Sequence, residues 1–256
     1  MAKTKAEGRA ALVGYLPVGF PDVQGSIDAM VEAGVDIVEI GVPYTDPLMD
    51  GPVIQHAAEV ALKGGARLLD VFRAVRAVAD SGAPALVMTY WNPVLRYGVD
   101  RFADDLAKAG GAGLITPDLI PDEGAEWIAA AERNDLDRVF LVAPSSSEPR
   151  LRSTTAACRG FVYAASTMGV TGTRTTVGDT AEVLVNRARL ITDTPICVGL
   201  GVSTGAQAAQ VASFADGVIV GSALVRCLTD AQSRADGLAA IRTLCAELAA
   251  GVRGGH

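Results

Sequence analysis

VEIGVPYTDPLMDGP, residues Val38–Pro52, is the stretch on which the reading of this chain turns. Its front half belongs to the apolar run Ile37–Gly41, closed by Gly41 and Pro43, and a short run of that kind reads as a buried strand. Its back half is a loop held by Pro43, Pro47, Gly51 and Pro52 that leads into a helical stretch from Val53. Strand, loop and helix in that order form the repeating unit of parallel α/β folds.

The same unit recurs along the chain. Apolar runs ended by Gly or Pro fall at Ala11–Leu16, Ile37–Gly41, Ala85–Tyr90, Gly113–Thr116, Arg138–Ala143, Phe161–Ser166, Ile196–Gly199 and Gly217–Val220. Between them lie helical stretches at Val23–Ala33, Val53–Ala61 with Leu68–Ala79, Asp100–Ala109, Glu123–Arg133, Pro149–Ala157, Thr180–Leu190 and Gly205–Ala212, then a long one within Ala223–Ala250. Alternation forces parallel pairing with right-handed crossovers, and eight units in 256 residues predict a single (β/α)8 TIM barrel domain over residues 1–256. An open doubly wound sheet is the alternative. In a barrel, function sits at the C-terminal ends of the strands and in the loops that follow them.

Two acids fall there. Glu39 shares a strand face with Ile37 and Gly41, so it points into a barrel interior or clears the strand end into a pocket. Desolvating a carboxylate costs several kcal/mol or raises its pKa, so such an acid is either functional or paired with an Arg or Lys elsewhere. Asp50 is either the second functional carboxylate or an ordinary N-cap for the helix that follows. Asp46, before Pro47, reads as an Asx-turn residue.

Composition narrows the classes. Half the residues are hydrophobic, only 5% are aromatic, and no Ser/Gly-rich linker divides the chain. A net charge of −7 without a basic stripe argues against a nucleic-acid or acidic-membrane partner. The N-terminal apolar run is broken by Gly14, Pro17 and Gly19, and no stretch is long enough for a membrane helix. Cys158, Cys197, Cys227 and Cys245 lack zinc or disulfide spacing and read as core thiols of a cytoplasmic protein.

The ends of strands 7 and 8 are small-residue loops, VGLGVST (Val198–Thr204) and VGSA (Val220–Ala223). In barrels these two loops commonly bind phosphate through backbone N–H groups, which marks Gly199, Gly201, Gly221 and Ser222; tight turns are the plain alternative. The polar segment Ser166–Gly178 after strand 6 reads as a lid hinged at Gly169 and Gly172, with Arg174 either facing an anion or solvated.

These motifs resemble the tryptophan synthase alpha subunit family over nearly the whole chain. The match runs through GYLPVGFPD (Gly14–Asp22), VEIGVPYTDPLMDGPVIQ (Val38–Gln55), MGVTG (Met168–Gly172), VGLGVST and VIVGSALV (Val218–Val225). The resemblance implies retro-aldol cleavage of indole-3-glycerol phosphate to indole and glyceraldehyde 3-phosphate, with no cofactor and no metal. It implies that Glu39 is the general acid/base and that Asp50 accepts the indole N–H. Tyr163 then lies near the substrate, Tyr15 and Leu114 or Asp118 line the indole pocket, and Thr171, Gly172, Gly201, Gly221 and Ser222 hold substrate, mainly by backbone amides to phosphate. It further implies a pyridoxal-phosphate-binding beta subunit that receives the indole in an alpha2beta2 assembly. Two positions depart from the family pattern: Thr167 stands where many relatives carry arginine, and Met49 where alanine is common.

Two other readings compete. One is another phosphate-binding barrel lyase or isomerase acting on a sugar phosphate; its Schiff-base aldolase form would need a lysine on strand 6, which has none. A non-catalytic subunit that binds a phosphorylated metabolite would have no use for both acids.

Overall fold

The computed structural model describes residues 1–165, 177–199 and 201–254. Within them the eight predicted strands pair in parallel and in chain order around a closed barrel. They are β1 (Ala11–Pro17), β2 (Ile37–Gly41), β3 (Ala85–Met88), β4 (Gly113–Thr116), β5 (Asp137–Val142), β6 (Val162–Ala165), β7 (Ile196–Gly199) and β8 (Gly217–Val220). Closure is made by β1 against β8, with Ala11 opposite Gly217 and Gly14 opposite Val220. An open sheet would leave two unpaired edges, so the doubly wound alternative is overturned.

Strand alternation sorts the side chains into two cores. Val13, Ile37, Leu86, Ile115, Val139, Cys197 and Ile219, from seven of the strands, and Phe161 just before β6 fill the barrel interior. Their neighbours, Leu12, Val38, Ile40, Val87 and Leu114 among them, point outward into the larger core under the helices. Leu114 is therefore fully buried away from the barrel axis and does not line the indole pocket. Gly113 and Ile115 take the inner positions of β4, which puts Pro117 at its inner end.

The described helices are α1 (Ala2–Ala6), α2 (Val23–Glu32), α3 (Pro52–Lys63), α4 (Leu68–Asp80), α5 (Trp91–Tyr97), α6 (Val99–Lys108), α7 (Ala125–Arg133), α8 (Glu148–Ala157), α9 (Val177–Arg189), α10 (Gly205–Ala212), α11 (Ser222–Thr229) and α12 (Arg234–Gly254). Two short ones, α1 and α5, were not expected from periodicity. Met1, at the start of α1, packs against the interior cluster and closes the barrel's lower end. The expected single C-terminal helix is two. It breaks before Ser233, whose hydroxyl accepts from Asp236 N–H and donates to the Asp236 carboxylate, the signature of a fresh helix start.

No helix among the described residues is long and apolar enough to cross a membrane. The four cysteines are free; Cys158, Cys197 and Cys245 are buried and Cys227 is half-buried. Thr167, Gly169, Thr171, Gly172 and Arg174, with the rest of the expected lid up to residue 176, lie outside the described residues, as does Leu200.

Candidate active site

At the C-terminal mouth of the barrel is a cavity of about 710 Å³. Glu39 and Asp50 both line it, with Tyr15, Tyr163, Gly201, Gly221 and Ser222. Seven residues expected at the site are thus brought together from β1, β2, β6 and the loops after β2, β7 and β8. Apolar walls come from Met88, Pro117, Leu141 and Ile219, of which only Ile219 lies within a quoted motif. Leu141 and Ile219 were within reach of the sequence, because the alternation that turns Glu39 inward turns them inward too.

Glu39 is 1% exposed on the middle of β2, opposite Tyr15 of β1 and Leu86 of β3. No Arg or Lys pairs with it among the described residues, and its buried Oε2 has no hydrogen-bond partner. Among the described residues, that atom gives the structural-acid alternative no support. Burial first, and the nearby Asp50 charge second, push the Glu39 carboxyl up to about 8. At neutral pH it therefore holds a proton.

Asp50 follows a different local logic. The N-cap of α3 is Gly51, with no side-chain capping hydrogen bond, so the Asp50 carboxylate is not spent on capping. The loop that presents it is tied by Gln55 Nε2 donating to the Asp50 carbonyl at 2.8 Å and by Asp50 N–H donating to the Pro47 carbonyl at 3.3 Å. Burial pushes Asp50 up to about 6, against a Tyr90 hydrogen bond that pulls it down. It remains mostly ionised at neutral pH. The mouth thus holds one protonated acid beside one carboxylate.

Tyr90, which sequence reading passed over, is the hub of this loop. Its hydroxyl accepts from Met49 N–H at 2.8 Å, its ring packs 5.4 Å from Tyr44, and its phenol faces Asp50. Asp118 acts one step further out: it is exposed and accepts from Trp91 N–H at 2.9 Å, so it holds the start of α5 rather than lining the cavity. Met49 is 42% exposed on the rim, beside Leu48 at 88%.

Tyr15 and Tyr163 are deeply set phenols, held well above the ordinary range by burial and by the neighbouring carboxylates. Each lies across a glycine of the next strand. A Cβ on Gly41 would stand 2.2 Å from Tyr15 Oη, and one on Gly199 would stand 2.4 Å from Tyr163 Oη. Gly199 is thus required by a ring, a packing reason that the phosphate reading had not supplied.

The two loop termini differ in a way that matters for anions. Thr204 caps α10 with its own hydroxyl, accepting from Gln207 N–H. Gly221 caps α11 without a side chain to accept from its first amides, which, like those of any helix start, have no intrahelical acceptor, and Gly221 and Ser222 line the cavity. Gly201, three residues before Thr204, takes a left-handed backbone (φ 67°). Arg226, one turn into α11, also lines the cavity and carries no motif.

A closed parallel barrel whose mouth gathers two acids in one cavity has the architecture of a TIM-barrel enzyme. The family described as tryptophan synthase alpha chain matches residues 1–253. The tryptophan synthase alpha chain of Salinispora arenicola is 63% identical over 254 residues, covering 98% of this chain and 95% of that one. A structure of Mycobacterium tuberculosis tryptophan synthase superposes with a TM-score of 0.91 at 59% identity, covering 98% of this chain and 96% of that one. The Legionella pneumophila alpha subunit, at 30% identity, still gives 0.89, covering 98% of this chain and 95% of that one. The chain belongs to the tryptophan synthase alpha chain family. It is a carbon–carbon lyase of tryptophan biosynthesis that cleaves indole-3-glycerol phosphate to indole and glyceraldehyde 3-phosphate.

Proposed function

We propose that Glu39 and Asp50 divide the work of this cleavage between them. The supporting observation is the buried, unpartnered Glu39 Oε2 beside an ionised Asp50 in one cavity. Glu39, protonated at rest, delivers its proton to indole C3, which makes the ring an electron sink. Asp50 accepts the indole N–H and stabilises the positive charge that develops at the nitrogen. The Glu39 carboxylate, freed of its proton, then takes the proton of the 3′-hydroxyl. The O–H electrons become the carbonyl of glyceraldehyde 3-phosphate, and the C–C bond electrons return to the ring to give indole. The proton lent by Glu39 is recovered, so the step balances without cofactor, metal or external reductant. A carboxyl near neutral pKa suits a group that must act first as acid and then as base.

Tyr15 and Tyr163 flank the indole; Gly201, Gly221 and Ser222 receive the phosphate by backbone amides, with Thr171 and Gly172 contributing from the lid. Incubating the purified chain with indole-3-glycerol phosphate should release indole. Asp50→Asn keeps the shape and removes the charge, so kcat should fall by roughly 10²-fold with little change in phosphate affinity. An Asp50→Asn enzyme as fast as wild type would take Asp50 out of the chemistry.

The chain's partner in this reading is a pyridoxal-phosphate-binding beta subunit in an alpha2beta2 assembly, in the cytoplasm. The solved relatives include tryptophan synthase of Mycobacterium tuberculosis. Leu48 and Leu95, 88% and 53% exposed in the segments after β2 and β3, give the mouth an apolar rim suited to a protein partner. Adding that subunit should raise the rate of indole formation severalfold, because the rim that it would cover is the loop that carries Asp50. An unchanged rate would refute the coupling.

A further inference from the structure

The cavity presents a charge problem. Its described lining contains two acids, Glu39 and Asp50, and one cation, Arg226. The chain as a whole carries −7, and the substrate brings a phosphate monoester with close to two negative charges of its own. Backbone amides at Gly221 and Ser222 offer hydrogen bonds and the partial charge of a helix start, but no full positive charge.

Arg226 sits one helical turn after Ser222 on α11. Side chains on a helix lean toward its N-terminus, so a long side chain at this position extends back over the turn of Ser222. The neighbouring wall is α3, whose Val53 and Ile54 line the same cavity. Among the described residues no carboxylate lies within ion-pair distance of Arg226, whereas Arg234 on α12 and Arg187 on α9 are paired with Asp22 and Glu148. Arg226 is exposed.

We propose that Arg226 reads the substrate's phosphate, pairing its guanidinium with the dianion that the α11 amides hold. This rests on the phosphate reading of Gly221 and Ser222. It adds to that reading the group that makes the site select a doubly charged ester over a neutral or singly charged analogue.

The test is steady-state kinetics of the full chain with indole-3-glycerol phosphate, with inorganic phosphate as a separate probe. In Arg226→Gln, KM should rise about tenfold and inorganic phosphate should bind about tenfold more weakly, while kcat moves far less. Arg226→Lys should recover most of the affinity. The salt dependence of KM should flatten in the Gln variant, because the screened charge pair is gone. Unchanged phosphate affinity in Arg226→Gln, alongside wild-type binding that shifts the amide signals of Gly221 and Ser222, would overturn the role of Arg226 and leave the phosphate site standing. Failure of inorganic phosphate to shift those amides in the wild type would instead overturn the site itself, and the role of Arg226 with it.

Discussion

Glu39→Gln should lower kcat by roughly 10²–10⁴-fold, the usual worth of a positioned proton donor and acceptor, while inorganic phosphate still binds. Near-wild-type turnover would remove Glu39 from the mechanism. The same substitution should stabilise the protein at alkaline pH. The Glu39 carboxyl titrates at about 8 in the folded chain against 4.5 as an ordinary glutamate, because burial disfavours its charged form. Between those two values the folded state holds a proton that the unfolded state has released, so stability falls as pH rises through the window. Above it, wild type carries a desolvated charge and Glu39→Gln does not. The expected gain is on the order of 2–4 kcal/mol, several degrees in Tm at pH 9, narrowing toward pH 5. Thermal melts across that range measure it. A Tm difference that stays flat with pH would mean that Glu39 is solvated after all. A stability cost of that kind is the usual one for an acid held where folding alone would not put it.

That misfit is also why the acid was legible. Glu39 contradicts its strand, and a residue that contradicts its local pattern is where function or pairing must be sought. The strands themselves were readable from short apolar runs, since a sheet buried on both faces needs little else. The β6 run extends one residue beyond the strand at its N-terminal end, with Ser166 outside the described residues, and the β3 run extends two beyond at its C-terminal end; Thr89 and Tyr90 already belong to the turn into α5. Helix α5 hid behind Asn92-Pro93, a dipeptide that reads as a turn, although proline is tolerated in a first turn whose N–H groups are unpaired anyway. What holds that turn is Asp118, 27 positions away, and no local signal reports it. Tyr90 escaped for the same reason, because it meets Met49 and Asp50 only once β2 and β3 are side by side. The break before α12 was written in the chain as Ser233-Arg234-Ala235-Asp236, a capping box inside a strongly helical composition that drew the eye past it.

Gly41→Ala should test how tightly the mouth is built. The added methyl would stand 2.2 Å from Tyr15 Oη and 2.5 Å from two of its ring carbons, inside any permitted contact. The ring has no free space behind it, because it lies in the barrel interior between β1 and β2, with Gly221 on its other side. Two responses remain: the strands part, or the ring swings into the cavity where the indole must lie. The first costs about 1–3 kcal/mol of stability, the usual penalty of overpacking. The second raises KM, by tenfold or more if the ring occupies the aromatic subsite. Tyr15→Phe would not relieve the clash, since ring carbons as well as the hydroxyl are in the way. Tyr15→Leu should, so the pair Gly41→Ala with Tyr15→Leu is expected to be markedly less unstable than the sum of the single changes. Simple additivity in melts of the four proteins would show that the ring does not rest on Gly41. Tyr163 over Gly199 repeats the arrangement on the far side of the barrel, so the cavity is framed by two phenols, each seated on a missing side chain of the next strand. That geometry explains why glycine ends β2 and β7 where periodicity alone would allow any small residue, and it ties the shape of the cavity to two positions that have no side chain of their own.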